Sequence, residues 1–243
     1  MVDEELVSAR RPRDVVDAAG AWIGDALAAD GFGWLRAVRS VQRQAGGLVQ
    51  QIVLQPSSHN RADRLIKIST HVSVRDPGLR QWRLAHAGRV VPSSDGDVVC
   101  GHPLGYASGR VNGHLYGDAQ DGDVELTEPS QRRAQLTRFV RMVREAVLPW
   151  FVEASEPSSI VTSRAGDYSL PFTVMEWLAS RDRVDLVCDY AERYLACNPG
   201  IEQRFRSGSS AAVGGQPIPP INDLAVVAGW SSTMLTTNLG SAA

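Results

Sequence analysis

The spacing of apolar residues changes along the chain, and each change marks a different kind of element. Within residues 14–31, Val15, Ala19, Trp22, Ile23, Ala26 and Leu27 fall on one face at helical spacing. Asp14 is placed to accept from the orphan N–H groups at the start of this helix, and Asp17 adds favourable first-turn charge. Gly31 stands where a left-handed helix stop is wanted, and Gly33 where a strand begins. The period then falls to two. Ile66, Ile68, Thr70, Val72 and Val74 alternate with Leu65, Lys67, Ser69, His71 and Ser73, the pattern of a half-buried strand. Residues 48–55 alternate less cleanly but are rich in β-branched side chains. Residues 34–44 read as the strand before them, with Ala45-Gly46-Gly47 as a hairpin turn.

From residue 75 to 125 the pattern weakens. Residues 78–88 fit a short helix or a strand, and two short strands are expected in "DVVCGHPLGYA" and "RVNGHLYGD". Helical spacing returns in residues 127–150. Leu136, Phe139, Val140, Val143, Val147 and Leu148 make the apolar stripe, Thr127 is the expected cap, and Pro149 the expected stop. A Ser/Pro-rich connection spans 155–159. Helices follow at about 170–180 and 184–197, with a short piece near 201–205 and a last helix capped by Asn222. The low-complexity run "SGSSAAVGGQPIPP" predicts a flexible loop near 206–220. Residues 1–13 read as a loose, charged leader, and the tail from Thr236 as frayed.

These elements predict an α+β protein: an antiparallel sheet covered on one face by helices, with a smaller helical C-terminal region. The expected division is a charged leader (1–13), an α+β domain (14–160) and a mainly helical region (161–243). The 243 residues are 43% hydrophobic and 21% charged, enough for one large domain or two small ones. A net charge of -2 gives no general attraction to nucleic acid or anionic membranes. Lys67 is the only lysine among 25 basic residues, an arginine bias that points to a GC-rich bacterial genome and discounts arginine as a functional signal. Cys100, Cys188 and Cys197 are too scattered for a disulfide framework. No apolar run approaches the roughly 18 residues of a membrane span, and residues 1–14 lack the apolar core of a signal peptide. A cytoplasmic location follows as the expectation.

One order of short motifs stands out. Gly31-Phe32 closes a helix, a strand carries Val41-Gln42-Arg43, the next ends at Gln55, "LIKISTHVSV" follows, and Leu148-Pro149-Trp150 closes the long helix. With the Cys100-Gly101-His102 segment, this order resembles the domain-of-unknown-function 4304 family over about residues 14–160. Val41 stands where that family has an aromatic residue, and Pro56-Ser57 follow Gln55. The resemblance implies an α+β domain with a mostly antiparallel sheet, and no reaction.

Candidate chemistry is sparse. Cys100 and His102 offer a thiol and an imidazole on one strand face, but one-residue spacing is not a common metal motif, and simple packing is the favoured reading. His59, His71, His86, His102 and His114 lie on separate elements. His71 shares a polar face with Lys67, Ser69 and Ser73 that suits a small anion or water. His114 and Asp118 suit an acid–base pair or a hydrogen-bonded loop. Arg132, Arg133, Arg138, Arg141 and Arg144 give the long helix a basic stripe that can face phosphates or simply solvent. The serines in "PSSI", "SGSS" and "GWSST" lack a nucleophile elbow, and no phosphate-binding loop is present, since Gly31-Phe32-Gly33 follows a helix instead of preceding one. Trp22, Trp150 and Trp177 fall on or beside apolar helical faces. No catalytic, cofactor-binding or metal residue is assigned. The expectation is a non-enzymatic, protein-binding domain, immunity-like or accessory, with a protein partner and no nucleic acid or membrane. The alternative is an enzyme of unrecognised type using histidine and acidic residues in 100–118.

Overall fold

The computed structural model describes residues 2–92, 96–108, 122–167 and 169–239. Its elements follow the changes of period in the sequence. Helix α1 covers Val2–Ser8 and α2 Pro12–Ala26. Pro12 occupies the first turn of α2, where a missing N–H costs nothing, and no side chain caps the helix. Asp14 therefore sits inside the first turn and acts through its charge, not as the cap. A 3-10 turn, Ala28–Asp30, leads into Gly31, which takes φ 83° as the left-handed stop.

The strands are β1 (Gly33–Leu35), β2 (Ser40–Ala45), β3 (Leu48–Pro56) and β4 (Lys67–Arg75). Helix α3 (Pro77–Ala85) precedes β5 (Val98–Pro103) and β6 (Val124–Glu125). The sheet runs β1-β2-β3-β4-β5, with β6 also paired to β4. The pairs β1–β2, β2–β3 and β4–β6 are antiparallel. Ala45 pairs with Leu48 across the hairpin, and Gly46 (φ 59°) and Gly47 (φ 80°) supply the two positive φ values of a two-residue turn. Along β4 the expected alternation holds, with Ile68, Thr70, Val72 and Val74 buried. Residues 34–44 are not one strand. A 3-10 turn, Arg36–Val38, and Arg39 at φ 47° separate β1 from β2.

Helix α4 (Arg132–Met142) passes through a π turn, Val143–Val147, into α5 (Leu148–Ala154). Pro149 therefore does not stop the helix. In a regular helix its ring would strike the carbonyl four residues earlier, and here that carbonyl belongs to the wider π turn. Thr127 does not cap α4 either. Its hydroxyl accepts from Ile66 N at 3.0 Å, and a 3-10 turn, Pro129–Gln131, begins the helix. The expected Ser/Pro connection is α6 (Pro157–Thr162), capped by the Glu156 carboxylate, which accepts from Ser159 N at 2.6 Å. Helices α7 (Pro171–Ser180), α8 (Val184–Cys197), α9 (Glu202–Val213) and α10 (Leu224–Leu239) follow. The chain is thus an α+β protein with an antiparallel sheet.

Two segments expected to be loose are ordered by close packing. Residues 2–8 form α1, whose Leu6 is fully buried. Arg132 Nη1 donates to the Leu6 and Ala9 carbonyls, both at 2.8 Å, and its Nε donates to Leu126 O at 2.7 Å. This one buried guanidinium closes the end of α1. Residues 206–213, placed in a flexible loop by composition, belong to α9. A Cβ on Gly208 would lie 1.9 Å from Val226 O, and one on Gly229 1.9 Å from Phe205 O. The small residues let α9 and α10 touch backbone to backbone, and Ser209 Oγ donates to Gly229 O at 3.1 Å. Asp223, not Asn222, caps α10, accepting from Ala225 N and Val226 N at 3.1 and 3.3 Å.

The chain divides into two units, each built from two segments. The first comprises Met1–Ser73 and Gly101–Val152, and the second Val74–Cys100 and Glu153–Ala243. In the first, α2 packs on β1, β2, β3 and α4. Gly20 and Gly24 leave the room that Trp34 fills, since a Cβ on Gly20 would sit 2.4 Å from its ring. In the second, α7, α8 and α10 pack together, with Val91, Phe172 and Val227 in a buried cluster.

Candidate functional site

The interruption between β1 and β2 opens a groove in the first unit. Trp34 is held against the glycine face of α2, and the 3-10 turn Arg36–Val38 swings the chain out before β2 begins. The left-handed Arg39 completes that detour and still reaches the sheet, because its carbonyl accepts from Leu54 N at 2.9 Å. Val38 is left 56% exposed. Beside it runs the end of β3, and opposite lies the first turn of α2. The groove, open to solvent, has a volume of about 890 Å³. Val38, Val53 and Pro56 give it apolar wall, and Arg13, Arg36 and Arg39 supply guanidinium groups.

Its one carboxylate, Asp17, is engaged. Oδ2 accepts from Arg36 Nη2 at 2.7 Å and from Arg36 Nε at 2.8 Å. Arg13 and Arg39 have no side-chain hydrogen bond or ion pair among the described residues. Asp17 and Arg36 also line a second cavity of about 410 Å³, where they meet Glu5, Asp14 and Trp34. The ion pair is therefore a ridge between a basic, partly apolar groove and an acidic hollow with an aromatic wall.

The residues singled out in the sequence take other roles. Cys100 is buried, and burial pushes its thiol up to about 12, so it holds no thiolate at neutral pH. His102 is 5% exposed, packs edge-on against Trp150 at 4.8 Å, and is driven down to about 4 by burial. It is a neutral core imidazole, with Nδ1 2.9 Å from Pro103 O. His59 is exposed in a turn, and His86 stacks on Trp82 at the end of α3. On the polar face of β4, Lys67 is bound to Asp123 at 2.7 Å and Ser73 donates to Gln51 Oε1 at 3.3 Å. His114 and Asp118 lie outside the described residues, as does the strand expected around them. Among the described residues, no group of three or more His, Cys, Asp or Glu is placed to hold a metal ion.

The basic stripe on the long helix is largely consumed. Arg132 is buried at α1, Arg133 meets Asp3 at 3.3 Å, and Arg138 donates to Gln135 at 2.8 Å. Arg144 joins Asp30 at 3.0 Å and the Ala26 carbonyl at 2.7 Å. Arg141 alone of the five has no side-chain partner among the described residues. The serines are structural as well: Ser158 donates to Glu156 at the cap of α6, and Ser231 is buried in α10.

The motif residues Phe32, Arg43 and Trp150 come together with Phe151 in the first unit. Arg43 lies over the Phe32 ring at 4.7 Å and donates to Asp30 O at 2.7 Å. The Phe32 and Phe151 rings are 5.9 Å apart, and Gln50 Nε2 donates to Phe151 O at 3.4 Å. Each ring is at most 4% exposed, so this cluster is core. In the second unit a buried polar network has the same character. Glu176 accepts from Arg83 Nε and Val91 N, both at 2.7 Å, and Asp76 accepts from Gly78 N, Trp177 Nε1 and Arg181. Burial pushes the Glu176 carboxyl up from its ordinary value, while Arg83 draws it back.

Arg13, Arg36, Val38 and Arg39 carried no motif, and reading 34–44 as one strand hid the groove. One signal was available. Strand alternation here breaks both faces with charge, Arg36 between Trp34 and Val38 on one and Arg39 between Ala37 and Val41 on the other, which marks an interruption. Among the described residues no helix is long and apolar enough to cross a membrane. No family model, no curated protein and no solved structure matches this chain, and the resemblance of residues 14–160 rests on its motifs alone.

Proposed function

We propose that this chain is a non-enzymatic, protein-binding domain of the bacterial cytoplasm, immunity-like or accessory in role. The observation that carries the reading is the groove between α2, the Arg36–Val38 turn and the end of β3. It joins an exposed valine and other apolar wall to three arginines. Arginine is enriched at protein interfaces and at their hot spots, where its fork and its apolar stem both make contact. Rigid elements on each side hold the groove, so little ordering entropy opposes docking. The states of Cys100 and His102 support the same reading, because a buried thiol and a neutral buried imidazole are poorly suited to nucleophile–base chemistry. The resemblance to the domain-of-unknown-function 4304 family is kept as part of this proposal.

The test is a quantitative pull-down from the cells that make the protein, with wild-type chain and Val38→Asp as baits. The valine is 56% exposed, so the substitution leaves the fold intact, which a thermal melt verifies. A stoichiometric partner held by wild type and lost by Val38→Asp supports the reading. Identical recoveries from both baits, or turnover of a substrate by the purified chain, sink it.

A further inference from the structure

The chemistry on the two sides of the Asp17–Arg36 ridge specifies more than a generic interface. On one side, Arg13 and Arg39, which have no side-chain partner among the described residues, present guanidinium groups beside Val38, Val53 and Pro56. A guanidinium's planar fork of donors matches a carboxylate in a way an ammonium does not. Apolar wall between two such groups suits an apolar side chain between two carboxylates. On the other side, Glu5, Asp14 and the shared Asp17 surround a hollow that Trp34 also lines. Carboxylates with an indole suit a cation, through ion pairing and attraction to the ring face.

Resting on the protein-binding reading above, we infer that the occupant is an extended peptide segment whose charge changes sign. An acidic stretch with an apolar side chain fills the groove of Arg13, Arg36 and Arg39. A lysine or arginine beyond it reaches across the ridge into the hollow of Glu5 and Asp14. Charge complementarity argues against a nucleic acid. A phosphate backbone continuing over the ridge meets like charge, and the chain's net charge of -2 gives a polyanion no long-range attraction. The ridge itself sets polarity: Arg36 favours the acidic side of the segment and Asp17 the basic side, so reversing the peptide reverses every charge contact.

The experiment uses the full chain and three fluorescent probes in anisotropy titrations. The first is a peptide alternating aspartate and leucine and ending in two lysines. The second reverses every charge. The third is a single-stranded oligonucleotide of equal length. The expected result is that the first probe binds best and weakens as salt rises. Arg13→Glu and Arg39→Glu each weaken it about tenfold. Arg141→Glu, on the exposed face of α4, leaves it unchanged. Glu5→Lys weakens the first probe but not a version lacking its lysines. Equal or better binding of the second or third probe overturns the inference, as does no binding of the first or indifference to both arginine substitutions. Failure here is distinguishable from failure of the parent reading. A natural partner lost with Val38→Asp but kept with Arg13→Glu and Arg39→Glu leaves the interface in place and rejects this occupant.

Discussion

Oδ2 of Asp17 accepts from both Nη2 and Nε of Arg36, at 2.7 and 2.8 Å, and the pair forms a wall shared by two cavities of opposite charge. The arginine comes from the turn that interrupts β1 and β2, and the aspartate from the second turn of α2. Arg36 is 68% exposed on its side chain, so the pair adds little to folding. Asp17→Asn is expected to change stability by less than about 1 kcal/mol in urea unfolding. It should raise affinity for an acidic–apolar peptide lacking lysines, because Arg36 is released and the groove loses its one carboxylate. Unchanged or weaker binding contradicts this role for the ridge.

Arg132 is the opposite case, a buried arginine whose work is structural. Replacing it by Met keeps much of the volume but leaves the Leu6, Ala9 and Leu126 carbonyls without their donor. A loss of about 2–4 kcal/mol is expected, seen as a Tm lower by about 6–12 °C. Amide exchange should rise first in residues 2–8, since they lose the group that closes α1. A melt within a degree of wild type removes this account.

The crossing of α9 and α10 depends on two missing methyl groups. Gly208→Ala places a Cβ against the Val226 carbonyl, and the backbone must move. Its gain in helix propensity, about 1 kcal/mol, is smaller than the strain, and a net loss of about 2 kcal/mol or more is expected. Gly214→Ala is the control: its nearest contact would be 3.4 Å from Ser210 O, and φ is -74°. Its stability should stay within about 0.5 kcal/mol of wild type. Equal effects at the two sites contradict the packing described here.

His102 makes stability depend on pH in a calculable direction. Folding lowers the imidazole from an ordinary 6.5 to about 4, so between these values the unfolded chain binds the extra proton. Its contribution is complete above pH 6.5 and is lost as pH falls toward 4, by up to about 3 kcal/mol. His102→Asn should flatten that part of the stability–pH curve. In the same folded protein, Cys100 resists alkylation at neutral pH while the exposed Cys188 and Cys197 react. Three equally reactive thiols would contradict the burial of Cys100.

By itself the sequence determined those elements whose signal is local. Helix α2 with its Gly31 stop, the Gly46-Gly47 hairpin, the alternation of β4 and the span of α8 all follow from side-chain period and from which residues tolerate positive φ. The α+β class followed from their order. Only tertiary structure decided the rest, because the deciding contacts join residues far apart in the chain. Residues 2–8 look like a charged leader until Arg132 closes their carbonyls. Residues 206–213 have a linker's composition, yet glycine and serine there are what a close helix crossing requires. Pro149 breaks a helix in isolation but passes through one widened just before it. The groove was hidden for the same reason. Arg13, Arg36, Val38 and Arg39 are unremarkable singly, and they become a surface of defined charge only when Trp34 docks on the glycine face of α2 and turns the chain outward.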